Sequence, residues 1–167
     1  GDLEEAGALL HEALQARREV LGDDHPGTHL AMINFSGLRK DQDRLEEGVP
    51  MLREVLQARR TTLGDTHAST LSAMTILGLH LKDYGEQQGV VKGAGDLEEA
   101  RKLLREVVKA QREAYGDEDL RTLTSTTNLG GLMKAQGDLE GLMAQVYTDP
   151  KIARAEEELA AAEAATA

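Results

Sequence analysis

GDLEEAGALLHEALQARREVLGD occupies residues 1–23, and the chain writes it out twice more. Residues 43–65 read DRLEEGVPMLREVLQARRTTLGD, and residues 95–117 read GDLEEARKLLREVVKAQREAYGD. The first segment agrees with the last at 14 of 23 positions and with the middle one at 13. Self-similarity of this kind, at shifts of 42 and then 52 residues, marks a repeat architecture. The longer shift carries ten extra residues, roughly 85–94, GEQQGVVKGA. A fourth start, Gly137-Asp138-Leu139-Glu140, follows at the right distance and then diverges.

Each unit reads as two helices. Leu3, Ala6, Leu10, Leu14 and Leu21 recur at helical spacing and form one apolar stripe. Asp2 suits an N-cap, with Glu4 and Glu5 in the first turn where the macrodipole favours carboxylates. Gly22, Gly64 and Gly116 follow the last periodic residue, as helix-ending glycines do. Pro50 should bend the second copy or shift its start. The partner helix begins at Thr28, Thr70 or Thr122, each placed as an N-cap or first-turn residue. Its apolar side carries Met32, Phe35 and Arg39, then Met74, Leu77 and Leu81, then Thr126, Leu129 and Met133. Ser36, Gly78 and Gly130 hold a small residue beside that side, which lets a neighbouring helix approach closely. No segment sustains the period-two alternation of a strand. One helical hairpin cannot bury its own apolar face, so stacked hairpins must bury each other's.

Composition narrows the function. The 167 residues are 40% apolar and 29% charged, but only 2% aromatic. A net charge of −11 repels phosphate backbones, and the lack of aromatics removes any stacking platform for single strands. Nucleic acid is therefore an unexpected partner. With no cysteine, disulfides, zinc–thiolate sites and cysteine nucleophiles are excluded, and a cytoplasmic setting is expected. No apolar run approaches membrane-spanning length. The chain opens on Gly1 rather than Met, as a piece of a longer protein would.

The stretches LGDDHPGTHLAMINFSGL at 21–38, LGDTHASTLSAMTILGLHL at 63–81 and YGDEDLRTLTSTTNLGGLMKAQGDLE at 115–140 resemble the tetratricopeptide repeats of the kinesin light chain group, in their 42-residue form. The resemblance implies an all-α, right-handed superhelix of stacked antiparallel helix pairs. It implies a tandem array over residues 1–147: an outer helix at 2–21, then repeats at about 28–63, 69–115 and 120–147. A capping helix or tail is expected at 148–167. In that family the Thr-initiated helix lines a concave groove and the Gly-Asp-Leu-Glu helix faces outward. The third inner helix departs from the pattern, starting Asp119-Leu120-Arg121-Thr122 without the His-Pro turn.

Candidate binding residues lie on the inner helices. Leu30, Ile33, Gly37 and Lys40 share a face, as do Ser72, Thr75, Leu79 and Lys82, and Thr124, Thr127, Gly131 and Lys134. Thr75 and Thr127 are the polar groups at the centre of their sets. Lys40, Lys82 and Lys134 would line up along the groove as a clamp for an acidic peptide, or else complement helix C-termini. Asn34 and Asn128 match the family's groove asparagine, with Ile76 in the middle copy. They could bond a ligand backbone, or each other's helices.

Catalytic and metal readings find little support. His25 and His29 are four apart beside Asp23 and Asp24, but Pro26 between them argues for a turn, and His67 repeats His25 without a partner. His11-Glu12 begins a zinc-protease pattern that Gln15 breaks. Gly93-Ala94-Gly95 begins a dinucleotide fingerprint that Glu98 breaks, with no convincing strand before it. No Ser-His-Asp grouping can be picked out. Arg18, Arg60 and Arg112 recur at one outer position, suited to bridging neighbouring helices. The expectation is a scaffold with no cofactor, metal or catalysis, binding a protein or peptide segment. The alternative is a structural segment that self-associates, or a sensor in a larger signalling protein. The 85–94 insertion is a candidate functional loop.

Overall fold

A computed structural model describes residues 2–148, with side chains for 3–89 and 92–137. It contains six helices: α1 (Asp2–Leu21), α2 (Pro26–Asp41), α3 (Leu45–Leu63), α4 (Ala68–Lys92), α5 (Ala94–Tyr115) and α6 (Leu120–Thr148). Two compact units divide the chain, Gly1–Leu132 and Met133–Ala167. Within the first, α1 packs on α2, α2 on α3, α3 on α4 and α4 on α5. Everything beyond Thr148 of the expected capping tail lies outside the described residues.

The helix ends repeat as faithfully as the sequence. Gly22, Gly64 and Gly116 take φ of 83°, 84° and 86°, a left-handed conformation that costs glycine little. Each donates its N–H to an arginine carbonyl four residues back, at Arg18, Arg60 and Arg112. The turn then closes on a histidine. Nδ1 of His25 accepts the Gly27 N–H at 3.0 Å, and Nδ1 of His67 accepts the Ser69 N–H at 3.1 Å. These histidines are the N-caps of α2 and α4. At α6, Asp119 replaces histidine, accepting the Arg121 N–H at 2.9 Å. The departure from His-Pro thus keeps the acceptor and changes only its chemistry. Thr28 and Thr70 sit inside the first turn, buried. Thr28 Oγ1 donates to the Gly22 carbonyl at 2.7 Å, which ties the turn shut.

The helices form two layers. Lys40 on α2 reaches Asp83 on α4 at 2.5 Å, and Ser72 and Thr75 on α4 share a cleft with Thr124 and Ser125 on α6. The inner layer is therefore α2, α4 and the first part of α6. Arg18 on α1 reaches Glu54 on α3 at 3.5 Å, and Arg60 on α3 reaches Glu106 on α5 at 2.6 Å. Arg53 adds a contact to Glu99 at 2.6 Å. Arg18 and Arg60 thus bridge neighbouring outer helices, as the spacing suggested, whereas Arg112 pairs with Asp117 of its own turn. Each pair is exposed to water and contributes about 0–1 kcal/mol, so these pairs set register more than stability. Between the layers lie Met32, Phe35, Leu45, Leu52, Met74, Leu77, Leu104 and Val107, all essentially inaccessible.

Two expectations need correction. The 85–94 insertion is not a loop. It extends α4 to Lys92 across a kink at Gly89, whose φ of 79° and ψ of 176° break the helical path. Gly93 then follows directly into α5. Nor does Gly137 open a new helix: α6 runs through it to Thr148. The earlier inner-to-outer reversals use a left-handed residue, Asp43 at φ 57° or Gly89, and Gly137 is not left-handed. The repeat assigned to 120–147 is accordingly one helix rather than a pair. Pro50 lies inside α3, which starts at Leu45 with Arg44 as its N-cap. A proline six residues into a helix leaves one carbonyl unpaired without ending it. Asp96 lies within the first turn of α5.

Candidate peptide-binding face

The inner helices turn a polar face outward. Leu30 and Asn34 of α2, Ser72 of α4, and Thr124 and Thr127 of α6 are exposed, while Thr75 and Asn128 are half-buried. The threonine hydroxyls are held by their own helix. Thr75 Oγ1 donates to the Leu71 carbonyl at 2.9 Å, and Thr127 Oγ1 to the Leu123 carbonyl at 2.9 Å. Each hydroxyl keeps lone pairs free to accept.

A cleft of about 350 Å³ opens between α4 and α6, lined by Ser72, Thr75, Ile76, Gln111, Arg121 and Thr124 among others. At its base the Oε1 atom of Gln111 is buried and has no hydrogen-bond partner. A buried unpaired acceptor costs about 1–3 kcal/mol, which a ligand donor would recover only where the Gln111 side chain turns out into the cleft, because the oxygen itself is closed to solvent. Arg121 is fixed at the rim. Its guanidinium makes two bonds to Asp119, at 2.8 and 2.9 Å, and lies 3.5 Å over the Tyr115 ring. Those two bonds and the Arg121 N–H pull the Asp119 carboxyl down to about 2. Gln111 and Arg121 escaped the sequence reading. Gln111 belongs to an outer helix, and neither residue recurs in the other copies.

The lysines behave differently from a free row. Lys40 pairs with Asp83, and Lys82 lies 3.5 Å from the same carboxylate and 3.1 Å from Glu86. Burial lowers the Lys82 pKa, but Glu86 and Asp83 outweigh it and the net shift is upward. Two carboxylates therefore compensate two ammoniums. Lys134 is exposed and belongs to the second unit, and is described only by itself.

Among the described residues, no group of three His, Asp or Glu side chains is placed to hold a metal ion, and no helix is long and apolar enough to cross a membrane. His29 is buried in α2, well separated in role from the capping His25. His80 is the unusual one. Its Nδ1 lies 3.0 Å from the Ile76 carbonyl, while Nε2 is buried without a partner. Burial lowers its pKa and nearby Lys40 adds to that. The carbonyls of Ile76 and Ser36 and the Asp83 carboxylate oppose the shift without reversing it. A folded-state pKa below the unfolded value of about 6.5 means the unfolded chain binds more protons. Stability should thus fall as pH drops below about 6.5 and level off below the folded value. The repeat-equivalent residues are Leu38 and Leu132, both buried. His80→Leu should therefore flatten the decline in melting temperature between pH 7 and pH 5, leaving the share from His29, whose pKa burial also lowers. Equal slopes in the two proteins would show that His80 does not carry the effect.

Stacked antiparallel hairpins in two layers, with a polar face on one of them, define a helical-repeat solenoid, a class that offers extended surfaces to partners. Two tetratricopeptide repeat models match the sequence, one over residues 1–27 and 30–69 and the other over 90–140. The chain belongs to the tetratricopeptide repeat family. Among solved structures, it is similar to the TPR-like repeats of a kinesin light chain candidate from Podosopora anserina. That likeness has a TM-score of 0.71 at 23% identity and covers 99% of this chain and 80% of that one. It is also similar to BtubC (BKLC) from P. vanneervenii, with a TM-score of 0.66 at 18% identity, covering 94% of this chain and 59% of that one. No curated protein is significantly similar to the chain. Identities this low speak for the fold alone.

Proposed function

We propose that this protein is a non-catalytic interaction scaffold whose inner face binds an extended peptide segment of a partner protein. Tetratricopeptide repeats are in general protein–protein interaction modules. The observation that carries the reading is the α4/α6 cleft with the unpaired Gln111 acceptor at its base and Thr75 and Thr124 on its walls. An extended peptide brings backbone N–H donors at regular spacing, which is the complement this cleft lacks. Asn34, Thr75, Thr127 and Asn128 are its orienting groups along the face. Because Asp83 and Glu86 compensate Lys40 and Lys82, selection rests on backbone and polar contacts more than on acidic charge.

The test is a peptide-array screen followed by titration of the best binders. Gln111→Leu should weaken binding by roughly tenfold or more while helix content stays unchanged. Lys40→Ala with Lys82→Ala should change affinity by less than about threefold. Binding untouched by Gln111→Leu would refute the cleft reading. A loss confined to acidic peptides and to the lysine variant would instead assign the face to an acid-recognising clamp.

A further inference from the structure

The three turns that lead from an outer to an inner helix are not closed alike. At the first, Nη1 of Arg17 donates to the Gly27 carbonyl at 2.6 Å; at the second, Nη1 of Arg59 donates to the Ser69 carbonyl at 2.7 Å. Each bond fastens the end of an outer helix to the first turn of the inner helix that follows. A fully buried threonine ties the same segments. Thr28 Oγ1 donates to the Gly22 carbonyl at 2.7 Å, and Thr70 Oγ1 to the Arg59 carbonyl at 3.4 Å. The threonine N–H adds a third tie, from Thr28 to the His25 carbonyl and from Thr70 to the His67 carbonyl, both at 2.9 Å.

At the third turn the same register holds Gln111, Arg121 and Thr122. None of the three ties forms there among the described residues. Glutamine is shorter than arginine and carries no charge. Thr122 is 1% exposed, yet its Oγ1 has no partner, and the buried Oε1 of Gln111 has none either. In the other two hairpins the counterparts of these groups find their partners within the same hairpin, so the difference lies in this hairpin itself. What spans the third turn instead is a surface contact, the Arg121 guanidinium 3.5 Å over the Tyr115 ring. Both groups are exposed, and a cation–π contact in water is weaker than a charged donor on a backbone carbonyl.

We propose that the α5–α6 turn is an unlatched hinge, at which the first turns of α6 move against α5 while α2 and α4 stay pinned. The moving element is one wall of the α4/α6 cleft. It carries Arg121 and Thr124, and the pinned wall carries Ser72, Thr75 and Ile76. The hinge thus sets the width of the cleft, independently of what the cleft binds. A ligand that touches both walls selects the arrangement that fits it, and residue 111 is the control point.

Native-state hydrogen exchange followed by NMR on the 167-residue chain tests this. The amides of His29, Leu71 and Leu123 are repeat equivalents, bonded to the carbonyls of His25, His67 and Asp119 at 3.0, 2.9 and 2.9 Å. Gln111→Arg supplies the donor that the other two turns use. It should slow exchange at Leu123 by roughly tenfold or more, the effect of one charge-assisted hydrogen bond, and leave His29 and Leu71 within about twofold. Arg59→Gln makes the reciprocal change and should speed exchange at Leu71 by a similar factor, leaving His29 within about twofold. Circular dichroism checks that both variants fold. Unchanged exchange at Leu123 in Gln111→Arg, slowing shared equally by all three amides, or unchanged exchange at Leu71 in Arg59→Gln overturns the proposal.

Discussion

Replacing Gly93 by alanine is expected to cost about 3 kcal/mol, the upper end for forcing extra atoms into a packed site. The backbone is not the reason, because φ −78° and ψ −10° suit any residue. Space is. A Cβ built at Gly93 would fall inside the Gly85 carbonyl, and one at Gly85 would lie 2.8 Å from Cγ of Leu97 and 2.9 Å from the Gly93 carbonyl oxygen. The kink at Gly89 lets α4 double back until two glycines touch backbone to backbone. Leu97 is buried against that contact, so pushing it apart also opens the α4–α5 core. Gly95→Ala is the internal control. Nothing lies within 4 Å of its Cβ, and alanine's helix propensity should make it neutral or stabilising by up to about 1 kcal/mol. Urea denaturation of the two variants decides the matter. If Gly93→Ala is no worse than Gly95→Ala, the inserted residues are not clamped.

Leu104→Ala is expected to cost about 2–5 kcal/mol. Leu104 is fully buried, and its side chain fills the space above Gly78. Glycine on one helix and leucine on the next interlock, and truncating the leucine leaves a cavity that glycine cannot fill. Residues in a repeat array touch only their neighbours, so the loss falls on the α4–α5 interface and weakens cooperativity along the array. Leu9→Ala, at an exposed position, should change stability by about 0.5 kcal/mol or less in dilute solution. A small effect at Leu104 would mean that α4 and α5 can close over the gap.

Much of this fold was legible because repetition is a local signal read several times. Arg18, Arg60 and Arg112 stand at one register, and the bridges from Arg18 to Glu54 and from Arg60 to Glu106 follow from that repetition. The turn histidines were partly legible: Pro26 argues for a turn at His25, and the structure makes His25 and His67 the N-caps, with Thr28 and Thr70 inside the first turn. Legibility stopped where the copies differ. GEQQGVVKGA reads as a loop because it holds three glycines, yet only Gly89 takes a left-handed φ. The others serve close approach or simply lie in the helix. Gly137-Asp138-Leu139-Glu140 reads as a helix start, but a start needs a preceding reversal, and no residue there supplies one. Gln111 was invisible because its role depends on which helix lies opposite.

The sequence by itself determined the helices and their pairing, because the apolar period, the capping residues and the small-residue positions are all properties of neighbours along the chain. The resemblance to the kinesin light chain repeats, rather than any period, implied the inner layer and its groups Asn34, Thr75, Thr127 and Asn128. Only the tertiary structure decided what those displayed groups can do. The Lys40 and Lys82 ammoniums meet Asp83, Gln111 is stranded under the α4/α6 cleft, and Gly85 touches Gly93, each through contacts between separate helices. Charge compensation, an unpaired acceptor and steric clearance are all set by distances of a few ångströms between elements, and no periodicity within one element encodes them.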